Sequence, residues 1–251
     1  MSDIPHEGLI YGLHAVESAV REEPERIERL WIDRNRNDRR AQALIEMAQA
    51  SGIDVQRCTR QELATRASDG QHQGVLAERR RTRALNEHDL DELVAKAGAR
   101  ALLLVLDGVQ DPHNLGACLR SAEAAGALAV VAPRDRAVGL TPAVLKVASG
   151  AAERVPFVQV TNLARSLRSL KEQGLWVIGA VGDGDMDLFD IDLSGPVALV
   201  LGGEGAGLRR LTREHCDRLA RIPMQGRVES LNVSVAAGIF LFETLRQRGG
   251  W

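Results

Sequence analysis

Aromatic residues are scarce in this chain of 251: three tryptophans, four phenylalanines and one tyrosine make up 3% of it. So few rings leave little with which to build a stacking platform for bases. Cysteine is scarcer still. Cys58, Cys118 and Cys216 lie far apart with no CxxC or Cys/His spacing, which argues against a disulfide framework or a metal site. No apolar run approaches the ~20 residues of a membrane helix, and Met1 to Ile10 has no signal-peptide pattern. Neither sign of charge is in surplus: the net charge of -2 gives no global mark of a polyanion binder. A reduced, cytoplasmic, metal-free protein without membrane contact is expected.

What is present is ordinary in bulk, with 45% hydrophobic and 26% charged residues, as in a globular protein. The length suits one large domain or two of usual size. Arginine is unevenly spread, with one group at Arg34, Arg36, Arg39 and Arg40 and another at Arg79, Arg80, Arg81 and Arg83. Each group reads as solvated surface or as phosphate contact.

Residues 1–80 read as a small α/β unit. Gly8 to Val20 is helical in period after a short entry, Arg26 to Asp33 alternates as a strand does, and Arg39 to Ser51 is an amphipathic helix. Gly52 to Arg57, Arg60 to Ala67 and Gly74 to Glu78 follow as strand, helix and strand. Residues 81–98 are charged and poor in apolar residues, and read as a flexible linker. From residue 99 the pattern changes. Ala101 to Leu106 is a continuous apolar run, as in a strand covered on both faces, and strands and helices alternate to the end. Alternation of this kind implies a mostly parallel sheet between helices, with ligands beyond the carboxyl ends of its strands.

Three polar islands interrupt this apolar pattern, each just after an expected strand. They are Asp111-Pro112-His113-Asn114-Leu115-Gly116 with Arg120, Gly202-Gly203-Glu204-Gly205-Ala206-Gly207, and Ser230-Leu231-Asn232-Val233-Ser234 following Ile222-Pro223-Met224. Familiar motifs do not account for them. The glycine spacing does not fit GxGxxG, no Gly-Lys-Ser/Thr follows a glycine cluster, and no serine sits in a GxSxG elbow. Asp183, Asp185 and Asp187 resemble a calcium loop, but Leu188 and Ser194 stand where its glycine and glutamate belong, so a solvated acidic loop is expected. Singly, each island also reads as a helix cap or tight turn. Their convergence at strand exits is what argues for one shared site.

Together the islands resemble the three motifs of the SpoU family of RNA ribose methyltransferases, in the SPOUT superfamily. The matching residues are Asn114-Leu115-Gly116 through Arg120, Leu199 to Gly207, and Ile222-Pro223-Met224 through Ser230-Leu231-Asn232-Val233-Ser234-Val235-Ala236. The likeness extends to Ile10-Tyr11-Gly12-Leu13-His14-Ala15-Val16 and His72-Gln73-Gly74, which are similar to the family's accessory RNA-binding domain, an α/β unit like ribosomal protein L30. The stretches LDGVQDPHNLGACLRSAEAAG and LTREHCD bring the chain near the branch that methylates a guanosine ribose in the peptidyl-transferase region of bacterial 23S ribosomal RNA.

This resemblance implies a trefoil-knotted methyltransferase domain over residues 99–251, a homodimer formed through it, and S-adenosylmethionine as cofactor. It implies a cofactor site at Leu201, Gly202, Gly203, Ile222, Met224 and Leu231, and a catalytic set of Arg120, Asn114, Glu204, Ser230 and Asn232. Arg120 is the family's catalytic candidate. A guanidinium with a pKa above ~12 is a weak base, so stabilising alkoxide character or binding a phosphate is favoured over literal proton abstraction. Asn114 would then position the ribose or Arg120, and Glu204 would orient Arg120 or nearby backbone donors. Tyr11, His14, His72, Gln73, Arg79 and Arg80 fit either RNA contact or plain packing. Rival readings are the same chemistry on tRNA or another ribosomal site, and a non-catalytic ribosome-assembly factor.

Overall fold

The computed structural model describes residues 9–22, 24–67, 72–79, 84–205, 207–228 and 230–249. Arg80, Arg81 and Arg83 lie outside the described residues. Contacts divide the chain into two compact units, Met1–Arg81 and Thr82–Trp251.

The first unit runs β1 (Leu9–Tyr11), α1 (Leu13–Glu22), β2 (Ile27–Asp33), α2 (Arg39–Ala50), β3 (Asp54–Cys58), α3 (Arg60–Ala67) and β4 (Val75–Arg79). Its sheet has the order β1-β4-β2-β3, with β2 parallel to β3 and antiparallel to β4. Alternation along β2 sets the two faces. Leu30 and Ile32 pack with Leu13, Val16 and Leu44 of α1 and α2, while Trp31 packs with Leu63 of α3 and Leu76. After a short entry, as expected, the helix begins at Leu13, and the entry is itself a strand. Leu9–Tyr11 pairs with β4, and Gly12, at φ 92°, turns the chain between strand and helix. Three residues are too few to display a strand's period, so their partner decides their state.

The second unit opens with α4 (Glu87–Ala97), inside the stretch expected to be a flexible linker. Asn86 and Asp89 cap each other's backbone, and Leu90 and Val94 are buried against Leu103, Val105 and Val158. Two apolar residues one turn apart suffice to dock a helix, though they give little periodic signal. There follow β5 (Leu102–Asp107), α5 (Pro112–Ala124), β6 (Ala129–Pro133), α6 (Pro142–Ala148), α7 (Ala151–Arg154), β7 (Phe157–Val160), α8 (Leu163–Glu172) and β8 (Trp176–Ala180). The chain ends through β9 (Met186–Asp187), β10 (Val197–Gly202), α9 (Arg210–His215), β11 (Arg218–Arg221) and α10 (Val233–Gln247).

These strands form a sheet in the order β7-β6-β5-β10-β8-β11-β9, and every pairing is parallel. Leu102, Leu104 and Leu106 face a core shared with α5 and α10, while Leu103 and Val105 face α4 and α8. Burial on both faces explains the unbroken apolar run of β5. At the far end of α10, Arg248 donates to the carbonyls of Arg100 and Ala101 at 3.1 Å each, tying the last helix to the start of β5. No helix among the described residues is long and apolar enough to cross a membrane.

Helix α5 crosses α6 closely at Gly116, where an added Cβ would meet Val147 Cβ at 2.6 Å and the Val144 carbonyl at 3.0 Å. Helix propensity alone favours alanine by about 1 kcal/mol, but overpacking costs about 1–3 kcal/mol. Gly116→Ala should therefore lower the melting temperature; a rise would show that α6 yields freely.

Candidate active site

The parallel register of β5 and β10 pairs Gly202 with Asp107, so the two strands end level and their exit loops face each other. Space there is short. A Cβ on Gly202 would lie 2.0 Å from the Gly207 carbonyl carbon, and one on Gly203 would lie 2.3 Å from the Gly108 oxygen. Gly205 and Gly207 sit at φ 78° and 62°, where other residues are strained. The glycines thus let the loop fold onto itself and onto the neighbouring loop, a need that the protein's own backbone imposes.

Asp107 fastens this arrangement. Its carbonyl accepts from Gly203 N at 3.0 Å, and its buried carboxylate accepts from Arg209 N at 2.9 Å and Arg209 Nε at 2.5 Å. The sequence pattern did not single out either residue; a carboxylate closing the apolar run of β5 was the available signal.

Beyond the strand ends lies a cavity of about 570 Å³, lined by the exits of β8, β10 and β11 and by the start of α10. Its apolar wall includes Leu201, Ile222, Leu231, Val233 and Phe240; Gly202, Gly203, Met224, Glu204, Ser230 and Asn232 also line it. The volume is in the range of small-molecule sites, where mostly apolar walls carry a few polar groups. All six residues expected to hold a cofactor are therefore on this wall.

A hydrogen-bonded chain joins the three polar islands. Asn232 Nδ2 donates to Asn114 Oδ1 at 2.9 Å, and Asn114 Nδ2 donates to Glu204 Oε1. Asn232 Oδ1 in turn accepts from Ser234 N at 2.9 Å and Ser234 Oγ at 2.6 Å, capping α10. Asp111 caps α5 by accepting from His113 N, which leaves Asn114 buried in the first turn. Asn114 is thus held at both ends of its amide, and Glu204 takes Asn114 as its partner where Arg120 or nearby backbone donors were expected. Arg120 is exposed on α5, makes no hydrogen bond or ion pair among the described residues and is absent from the cavity lining. Ser230 reaches the cavity but is exposed.

The loop of Asp183 to Asp187 is not simply solvated. Arg213 donates to both Asp183 oxygens at 3.0 Å, and Arg221 Nε donates to Asp187 at 2.6 Å, with Asp183 and Arg213 both on the cavity rim. Burial pushes the thiols of Cys118 and Cys216 up to about 12, the charge of Glu204 adding to the effect at Cys118.

In the first unit, His72 is buried and its Nδ1 accepts from Gly74 N at 3.1 Å, so it braces a turn. Gln73, at φ 48°, receives Arg36 Nη1 on its carbonyl. Tyr11 and His14 are exposed, and Arg79 is half-buried.

A parallel sheet with an apolar, nucleoside-sized cavity past its strand ends has the form of a ligand-binding α/β domain. Comparison with known proteins narrows that class. Residues 101–242 match the SpoU rRNA Methylase family, and residues 9–84 match the RNA 2'-O ribose methyltransferase substrate binding domain. The chain is 54% identical over 240 residues to the 23S rRNA (guanosine-2'-O-)-methyltransferase RlmB of Shewanella oneidensis, covering 96% of this chain and 97% of that one. It is also 54% identical to the protein of the same name from Pseudomonas aeruginosa, covering 95% and 96%. Among solved structures, the SpoU methyltransferase AviRb from Streptomyces viridochromogenes in complex with AdoMet superposes with a TM-score of 0.66 at 26% identity, over 97% of this chain and 91% of that one. An AdoMet-bound rRNA methyltransferase from Sinorhizobium meliloti gives 0.66 at 26% identity, over 95% and 87%. The chain belongs to the SpoU rRNA methylase family.

Asp107→Asn should weaken the charge-assisted bonds to Arg209 and destabilise the protein by about 1.5–3 kcal/mol, seen as a lower denaturant midpoint. An unchanged midpoint would mean that the glycine loop does not depend on this carboxylate. The two raised thiols stay protonated in the fold at a pH where they would ionise in the unfolded chain. Their contribution to stability is present below pH 9.0, the ordinary thiol value, and is lost as pH rises toward about 12. Cys118 and Cys216 should react with a disulfide reagent far more slowly in the native than in the denatured protein at pH 8.

Proposed function

We propose that this chain transfers a methyl group from S-adenosylmethionine to the 2'-hydroxyl of a guanosine ribose in the peptidyl-transferase region of 23S ribosomal RNA. The observation that carries the reading is the hydrogen-bonded chain Asn232–Asn114–Glu204 on the edge of the apolar cavity, since it uses one polar residue from each island. The relatives named above act on a 23S rRNA guanosine, and the match to them runs nearly end to end.

The cavity suits the cofactor in size and in chemistry. Leu201, Ile222 and Leu231 would exclude water around the adenosine, and the loop at Gly202 and Gly203 would offer backbone groups. When bound, the cofactor supplies a methyl group already activated by a sulfonium. The protein's part is then to hold the ribose oxygen in line and to favour its alkoxide character. Asn114, fixed between Glu204 and Asn232, keeps the start of α5 in one orientation. Arg120 lies six residues further on, about 9 Å along the helix axis. Its uncommitted guanidinium stabilises the developing negative charge or grips the adjoining phosphate, and Ser230 faces the cavity to complete the polar shell.

The same reading includes cytoplasmic action, a trefoil knot and a homodimer. Insertion of β10 between the earlier strands β5 and β8 suits a threaded topology. Val235 and Phe242, 50% and 38% exposed one above the other on α10, suit a partner surface beside α5. The first unit would bring RNA to the second.

Arg120→Ala should lower methyl transfer to an unmodified 23S transcript at least 100-fold, while calorimetry finds S-adenosylmethionine affinity within a few fold of wild type. Near-normal turnover would remove Arg120 from the mechanism. Absence of any cofactor binding by the wild-type protein would favour a non-catalytic assembly factor.

A further inference from the structure

The mechanism leaves the arginines around the loop between β2 and α2 without a task. Their setting is unusual for a chain whose net charge is -2. The register pairs Asp33 with Cys58, so the parallel strands β2 and β3 end level and the segments leading to α2 and α3 leave from one sheet edge. Acids near that edge, Asp33 buried and Asp38 and Glu62 exposed, are hydrogen-bonded to nearby backbone or to Arg36. Asp33 accepts from Asn35 N at 3.0 Å, Asp38 accepts from Ala41 N at 3.1 Å and Arg36 Nε at 2.7 Å, and Glu62 accepts from Thr59 N at 2.6 Å. Arg36 is likewise spent on Asp38 and the Gln73 carbonyl.

Four guanidinium groups remain. Arg34, Arg39, Arg40 and Arg60 are exposed, and their side chains have no hydrogen bond or ion pair among the described residues. The loop that carries Arg34 is also braced: Arg57 Nη1 donates to the carbonyls of Arg34 and Arg36 at 3.4 Å each and to Asn37 Oδ1 at 3.2 Å. A fixed loop presents its charges at less entropic cost on binding than a loose one.

We infer that this edge, through Arg34, Arg39, Arg40 and Arg60, binds the phosphate backbone of the RNA substrate. The inference rests on the reading that the substrate is ribosomal RNA and assigns a surface to it. Guanidinium forks match phosphate oxygens in geometry, and such contacts orient a nucleic acid without reading its sequence. A chain this poor in aromatic residues has charge, rather than stacking, as its means of holding the backbone.

The test is fluorescence anisotropy of the full-length protein with a labelled, unmodified transcript of the 23S peptidyl-transferase region, across a range of KCl. Replacing all four arginines by glutamine should weaken binding more than tenfold and flatten the log–log salt dependence by up to about one unit for each phosphate no longer neutralised. The melting temperature and S-adenosylmethionine affinity should stay as in wild type. Lysine at the same four positions keeps the charge and should restore most of the slope. Wild-type affinity and slope in the glutamine variant would overturn the surface alone, as would a lysine variant that restores nothing. A wild-type protein with no salt-dependent binding to the transcript would overturn the ribosomal RNA reading together with it.

Discussion

The site depends on one constraint, the level ending of β5 and β10. Because Gly202 stands opposite Asp107, the loops that leave the two strands must share the same space. Only main chain without a Cβ fits there, which is why Gly202 and Gly203 meet the backbone of Gly207 and Gly108. The carboxylate of Asp107 then closes the arrangement through Arg209. With that loop fixed, Glu204 points at Asn114 and the cavity acquires a rigid polar edge.

Division of labour within the site follows from burial. Asn114 is buried and bonded on both sides of its amide, so its role is to hold α5, α10 and the glycine loop in one relation. Arg120, on the same helix, is exposed and makes no hydrogen bond or ion pair among the described residues. A group meant to meet an incoming polyanion is better left in that state, since an ion pair with the protein would have to be broken first. On the proposed function, positioning and charge stabilisation would fall to two different residues of a single helix.

Much of the fold was legible because both periodic signals are strong. The run ALLLVL reads as a strand covered on both faces, and β5 is one. Several elements were not legible, among them the short α7 and β9. Leu9–Tyr11 is too short to carry a period, and α4 has Leu90 and Val94 as its only fully buried residues in a charged segment. In the site, the polar islands stood out against apolar surroundings. Asp107 and Arg209 did not, since their meaning lies in a contact across 102 residues. The acidic loop is solvated as expected, with the Asp183 side chain 73% exposed, but its ion pairs were not legible for the same reason: Arg213 and Arg221, which tie Asp183 and Asp187, come from distant segments.

The sequence by itself determined the alternation of strands and helices, the placing of polar residues at strand exits, and the kinship those residues reveal. Local spacing encodes all of these. Tertiary structure decided the strand order, in which β10 enters between β5 and β8, and so decided which loops meet. It also decided that the glycines answer to the chain's own backbone, that Glu204 bonds the Asn114 side chain, and that four arginines at one sheet edge have no hydrogen bond or ion pair among the described residues while Arg36 does. Such outcomes depend on distances between residues far apart in the chain, and these exist only once the sheet has set its register.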